Sequence, residues 1–256
     1  MSGHSKWATI KRQKARVDAA RGKNFAQLSG AIIVAARSGL PDPAGNFQLR
    51  TAIEKAKAAG VPNDNIDRAI AKGAGTLGGE ASRLEEIRYE GYGPGGVALV
   101  MEALTDNRNR TAADLRAIFN KRGGNLGETG CVSWMFAHKG VCIISGAVDE
   151  DALLEASLEA GADSYELFAE AEGAGAEVFT ETAALEKLCA QLKDRKFNVT
   201  DSEWRWIPEN TVEVVDLDQG KQLLRVIESL EALDDLQNVT ANFEISAELL
   251  EQLSLP

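Results

Sequence analysis

Two clusters of cations, one beside an aromatic and one at a helix start, are the residues of this chain best suited to chemistry. That chemistry is phosphate recognition. Ser2-Gly3-His4-Ser5-Lys6-Trp7 runs into Lys11-Arg12-Gln13-Lys14, and Arg16, Arg21 and Lys23 follow. Lysine and arginine neutralise phosphates, and an indole stacks on an unpaired base. Trp7 is also suited to packing as a staple on a helical bundle, and one side chain can serve both ends. The second cluster is Thr105-Asp106-Asn107-Arg108-Asn109-Arg110-Thr111, ahead of a helical stretch. A helix N-terminus prefers anions, so Arg108 and Arg110 stand where they are electrostatically misplaced. An external phosphate held by N–H groups and both guanidinium groups would relieve that conflict. Without one, the turn reads as an Asn/Asp-rich cap with its arginines in water. Trp204 and Trp206, alternating with Glu203 and Arg205, make either a stacking platform or, more simply, core packing.

Other apparent motifs fail in context. Gly91-x-Gly93-x-x-Gly96 and Gly73-x-Gly75-x-x-Gly78 match a dinucleotide fingerprint letter for letter. That fingerprint works only where a strand ends and a helix begins, because the pyrophosphate sits on the helix N-terminus. The first match precedes a strand and the second follows a helix, so no nucleotide cofactor is expected. GxxxxGK[ST], GxSxG, SxxK and HExxH are all missing. His4 and His138 are the two histidines, too far apart in sequence to suggest a metal cage. The expectation is a protein without catalytic residues, cofactor, metal or small-molecule substrate.

Charge divides the chain. Residues 1–80 hold 13 Lys/Arg against 6 Asp/Glu, a balance of +7, and residues 81–256 hold 15 against 33, a balance of −18. Such segregation points one end at an anionic partner while the rest keeps the molecule soluble. No apolar run approaches the ~18 residues of a membrane span, and residues 1–24 are basic and polar without the apolar core of a secretory signal. Three widely spaced cysteines, Cys131, Cys142 and Cys189, fit a reducing compartment better than a disulfide scaffold. A cytoplasmic location away from membranes is expected.

The elements that must position these residues follow from periodicity. Phe25, Leu28 and Ile32 recur at helical steps until Gly39, Pro41 and Pro43. Leu49, Ala52, Ile53 and Ala56 mark a second helix capped by Asn46 and closed by Gly60. A third helix runs from a cap at Asn63 to Gly73, and Gly-rich 73–79 reads as a linker. Strands are predicted at 84–90, 97–104 and 131–137, with a helix at 111–122. Residues 140–207 then give the order βαββαβ, the ferredoxin-like arrangement of two helices on one face of an antiparallel sheet. A further helix near Leu223–Leu230 and a strand from Val239 to Ile245 would complete the sheet begun at residue 84. The predicted class is α+β, in three parts. Residues 1–79 form a basic three-helix bundle with its glycine linker, and 80–138 plus 208–256 form one α+β domain. Residues 139–207 form a ferredoxin-like α+β domain inserted into that second one.

Three blocks carry a resemblance: GHSKWATIKRQKARVDAARGKNF, YEGYGPGGVALV after the linker, and TDNRNRTAADLRAIFNKRGGNLGETGCVSWMF. Over residues 2 to about 245 the chain resembles the YebC/PmpR family, which includes a mitochondrial translational activator of cytochrome c oxidase subunit I. The resemblance implies a helical N-terminal domain, two α+β domains with one inserted in the other, and a cytoplasmic, non-enzymatic role. Bacterial members are described as DNA-binding transcriptional regulators, and others act in translation on ribosomes stalled at proline-rich segments. The family's blocks cover His4, Lys6, Trp7, Lys11, Arg12, Lys14, Arg21 and Lys23, then Tyr92 to Gly96 and Asn107 to Arg110. The acidic 150–177 stretch departs from the shared pattern. The function expected is a nucleic-acid-binding regulator of gene expression, with DNA as partner and the ribosome or its RNA as the alternative. A third alternative is an enzyme working in an acidic cleft between the later domains.

Overall fold

Helical periodicity builds the first layer. In the computed structural model, which describes residues 21–76, 84–170, 173–246 and Leu249, three helices open the described chain: α1 (Arg21–Ser38), α2 (Phe47–Ala58) and α3 (Asn63–Gly73). Asn46 caps α2 as predicted, its Oδ1 accepting from Leu49 N at 3.0 Å while its amide donates to the Ala35 and Leu40 carbonyls. The α3 cap differs. Pro62 occupies it and Asn63 is the first helical residue, because proline's fixed φ suits a helix entry and offers no side-chain acceptor. Ile32, Leu49, Ile53, Ala56, Ile66 and Ala69 close the core between the helices.

A four-stranded antiparallel sheet of order β3-β1-β2-β9 follows, from β1 (Glu85–Tyr92), β2 (Ala98–Thr105), β3 (Asn125–Leu126) and β9 (Leu236–Ala241). Helices α4 (Arg108–Arg122) and α7 (Leu217–Glu231) pack together, and Phe119 and Leu223 meet the sheet at Gly91 and Gly93. The opposite face takes the bundle. Leu104 joins the bundle core, Gln27 donates to the Leu236 carbonyl, and a Cβ on Gly30 would lie 2.3 Å from Gln237. β2 is therefore covered on both sides, which is why ALVMEALT is an almost unbroken apolar run.

The predicted strand from Val239 to Ile245 splits at Asn242. That residue leaves the ladder to bond Ala98 N through Oδ1 at 2.6 Å and the Asn210 carbonyl through its amide at 3.2 Å. Beyond it, β10 (Phe243–Ile245) pairs in parallel with β8 (Val212–Val214). The predicted strand at 131–137 is a 3-10 turn over Ser133–Met135, followed by a strand that starts at Phe136. Glu90 causes this: its Oε2 accepts from Val132 N and Ser133 N at 2.9 Å each, taking the N–H groups a strand would need.

Residues 136–207 are a separate compact unit, inserted in the chain between Met135 and Pro208 of the first. Its elements are β4 (Phe136–Ser145), α5 (Glu150–Ala160), β5 (Ser164–Glu170), β6 (Gly173–Glu181), α6 (Leu185–Asp194) and β7 (Val199–Pro208). The sheet order β5-β6-β4-β7 is ferredoxin-like. Tyr165, Val178 and Cys142 share the helix face, with Tyr165 Oη donating to Glu150 of α5 at 3.3 Å. Gly140 lets α6 approach, since a Cβ there would lie 2.8 Å from Leu185 Cβ. The protein is thus an α+β chain: a helical N-terminal bundle followed by two α+β units, the second inserted in the first.

Candidate nucleic-acid interface

β2 ends at Thr105 because Asn107 starts a helix. Asn107 Oδ1 accepts from Asn109 N at 3.2 Å and Arg110 N at 3.1 Å, and Asn107 N donates to Thr105 Oγ1 at 3.0 Å. The turn therefore delivers Arg108, Asn109 and Arg110 to the surface at the head of α4. Asp235, in the tight connection from α7 to β9, reaches the same place. Its Oδ2 accepts from Thr111 Oγ1 at 2.6 Å and Thr105 Oγ1 at 3.1 Å, while its carbonyl accepts from Leu104 N at 2.9 Å.

Arg110 Nη2 lies 3.0 Å from both Asp235 oxygens and 2.9 Å from Asp106 Oδ1. The hydrogen bonds that its guanidinium donates to Asp235 and then to Asp106 raise the arginine's pKa above its ordinary value. The anion that the helix N-terminus calls for is thus present within the fold, and any phosphate approaching Arg110 meets a guanidinium already shared by two carboxylates. Arg108 is exposed, and its carbonyl accepts from Tyr89 Oη at 3.0 Å. Burial holds the Tyr89 hydroxyl above its usual value, against the opposing pull of the nearby Arg108 and Arg116 charges.

The structure thus brings Arg108 and Arg110 together on one helical turn and adds Arg116 to their neighbourhood. Spacing alone held that signal: Arg108 and Arg116 are eight residues apart, close to two helical turns. With Lys121 and Arg122, α4 carries five cations against the single acid Asp114. Asp235 had no local signal, being 125 residues from Arg110. His4, Lys6, Trp7, Lys11, Arg12, Lys14 and Arg16 lie outside the described residues. Arg21 and Lys23 open α1.

Trp206 and Trp204 do not sit in a closed core. The Trp206 ring stacks on His138 at 4.7 Å between centroids and 23° between planes, and Trp204 meets the same imidazole edge-on at 5.9 Å. Trp204 remains 39% exposed. The Gly91–Gly96 fingerprint is a hairpin turn, in which Gly93 N donates to the Val97 carbonyl at 2.8 Å. A Cβ on Gly95, whose φ is +77°, would fall 1.9 Å from Gln219 Nε2. No helix N-terminus faces a cradle there. Among the described residues no helix is long and apolar enough to cross a membrane.

Residues 5–76 match the TACO1/YebC protein N-terminal domain, and residues 84–243 match the TACO1/YebC second and third domain. A probable transcriptional regulatory protein of Rippkaea orientalis is 72% identical over 250 residues, spanning 98% of each chain. A protein of the same description from Nostoc is 71% identical over 98% of each. The crystal structure of a conserved hypothetical protein from Aquifex aeolicus superposes with a TM-score of 0.81 at 44% identity, covering 92% of this chain and 95% of that one. The chain belongs to the TACO1/YebC family.

Proposed function

We propose that this protein is a non-enzymatic, nucleic-acid-binding regulator of gene expression, acting on DNA in transcription through its basic N-terminal domain. One observation carries the reading: the +7 balance of residues 1–80 beside the −18 of the remainder. Seven of the 13 cations in that first part fall within residues 1–24. A chain with a net charge of −11 approaches a polyanion only if its cations are gathered on one surface. His4, Lys6, Trp7, Lys11, Arg12, Lys14, Arg16, Arg21 and Lys23 form the main contact in this reading, and Arg108 and Arg110 a second one. The description of the relatives as probable transcriptional regulatory proteins supports regulation as the process. The division into a basic domain over 1–79, an α+β domain from 80–138 and 208–256, and an inserted domain over 139–207 is part of the proposal.

The test is duplex DNA binding by fluorescence anisotropy across a salt series. Each phosphate contact should contribute roughly 0.7 to 0.9 to the log–log slope. An affinity flat from low to physiological salt would remove the phosphate-contact model. Cross-linking in cells with sequencing of the bound nucleic acid separates DNA from ribosomal RNA.

A further inference from the structure

In the inserted unit the sheet ends on β5, and helix α5 overhangs that edge with apolar side chains in water. Glu150, Leu154 and Leu158 stand one turn apart on α5 and form a single stripe. The stripe lies on the β5 flank of the helix, because Glu150 Oε1 accepts from Tyr165 Oη of β5 at 3.3 Å. Glu155 and Glu159 take the opposite flank, where Arg195 at the C-cap of α6 pairs with Glu159 and lies 3.8 Å from Glu155. Leu167 follows Tyr165 on the helix face of β5, opposite Ala176 as Tyr165 is opposite Val178. Leu154 is 43%, Leu158 71% and Leu167 42% exposed, so three leucines of one flank face water. β5 is the terminal strand of the order β5-β6-β4-β7, and among the described residues it pairs with β6 alone. Its seven residues, Ser164–Glu170, pair without a bulge and include neither lysine nor proline, the usual guards of an edge. From Glu150 to Glu170 the chain holds seven Asp/Glu and no Lys or Arg.

We propose that this edge takes an extended, basic segment of a partner protein, which adds beside β5 as a fifth strand of the four-stranded sheet. An edge strand offers its outward N–H and C=O groups as a template for a strand about 4.8 Å away. Side chains of the added strand alternate between the two faces. Those on the helix side meet Leu154, Leu158 and Leu167, and apolar residues fit there. Those on the other side meet Glu166, which stands on the face away from Tyr165 and Leu167, and lysine or arginine fits there. The partner segment therefore alternates apolar and basic residues. Charge decides between such a partner and a second copy of this chain. Two copies joined edge to edge would set seven acids against seven, and like charges across a strand pair destabilise it. The acidic 150–177 stretch, for which the nucleic-acid reading has no use, holds every one of these residues. The docking does not rest on that reading.

The test uses the full chain and a fluorescein-labelled seven-residue peptide alternating lysine and valine, the length of β5. Anisotropy should show saturable binding, and amide exchange followed by NMR should slow several-fold at the β5 amides that point away from β6. The same peptide with glutamate for lysine, or with a central proline that removes a ladder donor, should not bind. Leu158→Ser with Leu167→Thr should weaken binding at least about tenfold, since a leucine that loses its burial costs that factor or more. Both side chains are exposed in the free protein and threonine suits a strand, so thermal unfolding of the unit should not move. Absence of binding, equal binding of the glutamate or proline peptide, or slowed exchange confined to other strands overturns the proposal. So does slow exchange of the outward β5 amides in the free chain. Slowing that grows with protein concentration would give the edge to a second copy, and slowing at every concentration would give it to another segment of this chain.

Discussion

Asp235 holds the head of α4 more firmly than the arginine beside it, and Asp235→Ala measures by how much. Its carboxylate accepts from the buried Thr111 hydroxyl at 2.6 Å and from Thr105 at 3.1 Å, and it is the anion at the N-terminus of α4. A hydrogen bond to a charged group contributes about 1.5–3 kcal/mol, and an anion at a helix start about 0.3–1 kcal/mol. Part of the loss is recoverable, because Thr111 Oγ1 also lies 3.2 Å from the Asn107 carbonyl and can donate there instead, which returns about 1 kcal/mol. With both hydroxyl bonds counted, the net expectation is a cost of about 2–6 kcal/mol for Asp235→Ala. Asp235→Asn, which keeps an acceptor oxygen and loses the charge, should cost about half as much. Native-state hydrogen exchange of the α4 amides reads the local opening directly, with urea denaturation as the global measure. Arg110→Ala should accelerate α4 exchange far less, since its guanidinium is half exposed and its ion pairs are solvent-screened. The reasoning is refuted if Asp235→Ala changes α4 exchange by less than about 0.5 kcal/mol, the range of an ordinary surface substitution. It is also refuted if Arg110→Ala proves the costlier of the two.

Two further outcomes follow from the same geometry. A chain starting at Phe25 should bind DNA more than about tenfold more weakly at physiological salt, having lost seven of the first part's 13 cations. Its α+β units should keep their cooperative unfolding; anisotropy and calorimetry read the two effects, and unchanged affinity would move the contact surface elsewhere. Burial alone would raise the Glu90 pKa, but the N–H groups of Val132, Gly130 and Ser133 outweigh it and leave the value below the ordinary 4.5. Its stabilisation is therefore complete above the ordinary carboxylate range and lost as pH falls through the lower folded value. Glu90→Gln should cost about 1–3 kcal/mol at pH 7 in urea denaturation and remove that acid-limb dependence, and an unchanged acid limb would contradict the assignment.

Local order was legible in the residues themselves. The helical steps of Phe25, Leu28 and Ile32, the Asn46 cap, the βαββαβ order of 140–207 and the +7 against −18 segregation are all short-range or compositional, and each element formed within a few residues of its expected place. Short-range patterns failed where a distant partner competed for the backbone. Glu90 turned Ser133–Met135, expected as strand, into a 3-10 turn by taking two N–H groups 42 and 43 residues away. Asn242 broke a strand by bonding Ala98, 144 residues back. The head of α4 shows the same division at the candidate site. Sequence placed two arginines where an anion was wanted, and only the tertiary fold decided that Asp235, brought across 125 residues by the α7–β9 connection, would supply one. Periodicity and charge balance are properties of neighbouring residues, whereas the partner of a buried acceptor or a capped helix is chosen by which chain segments the packed core brings within about 3 Å.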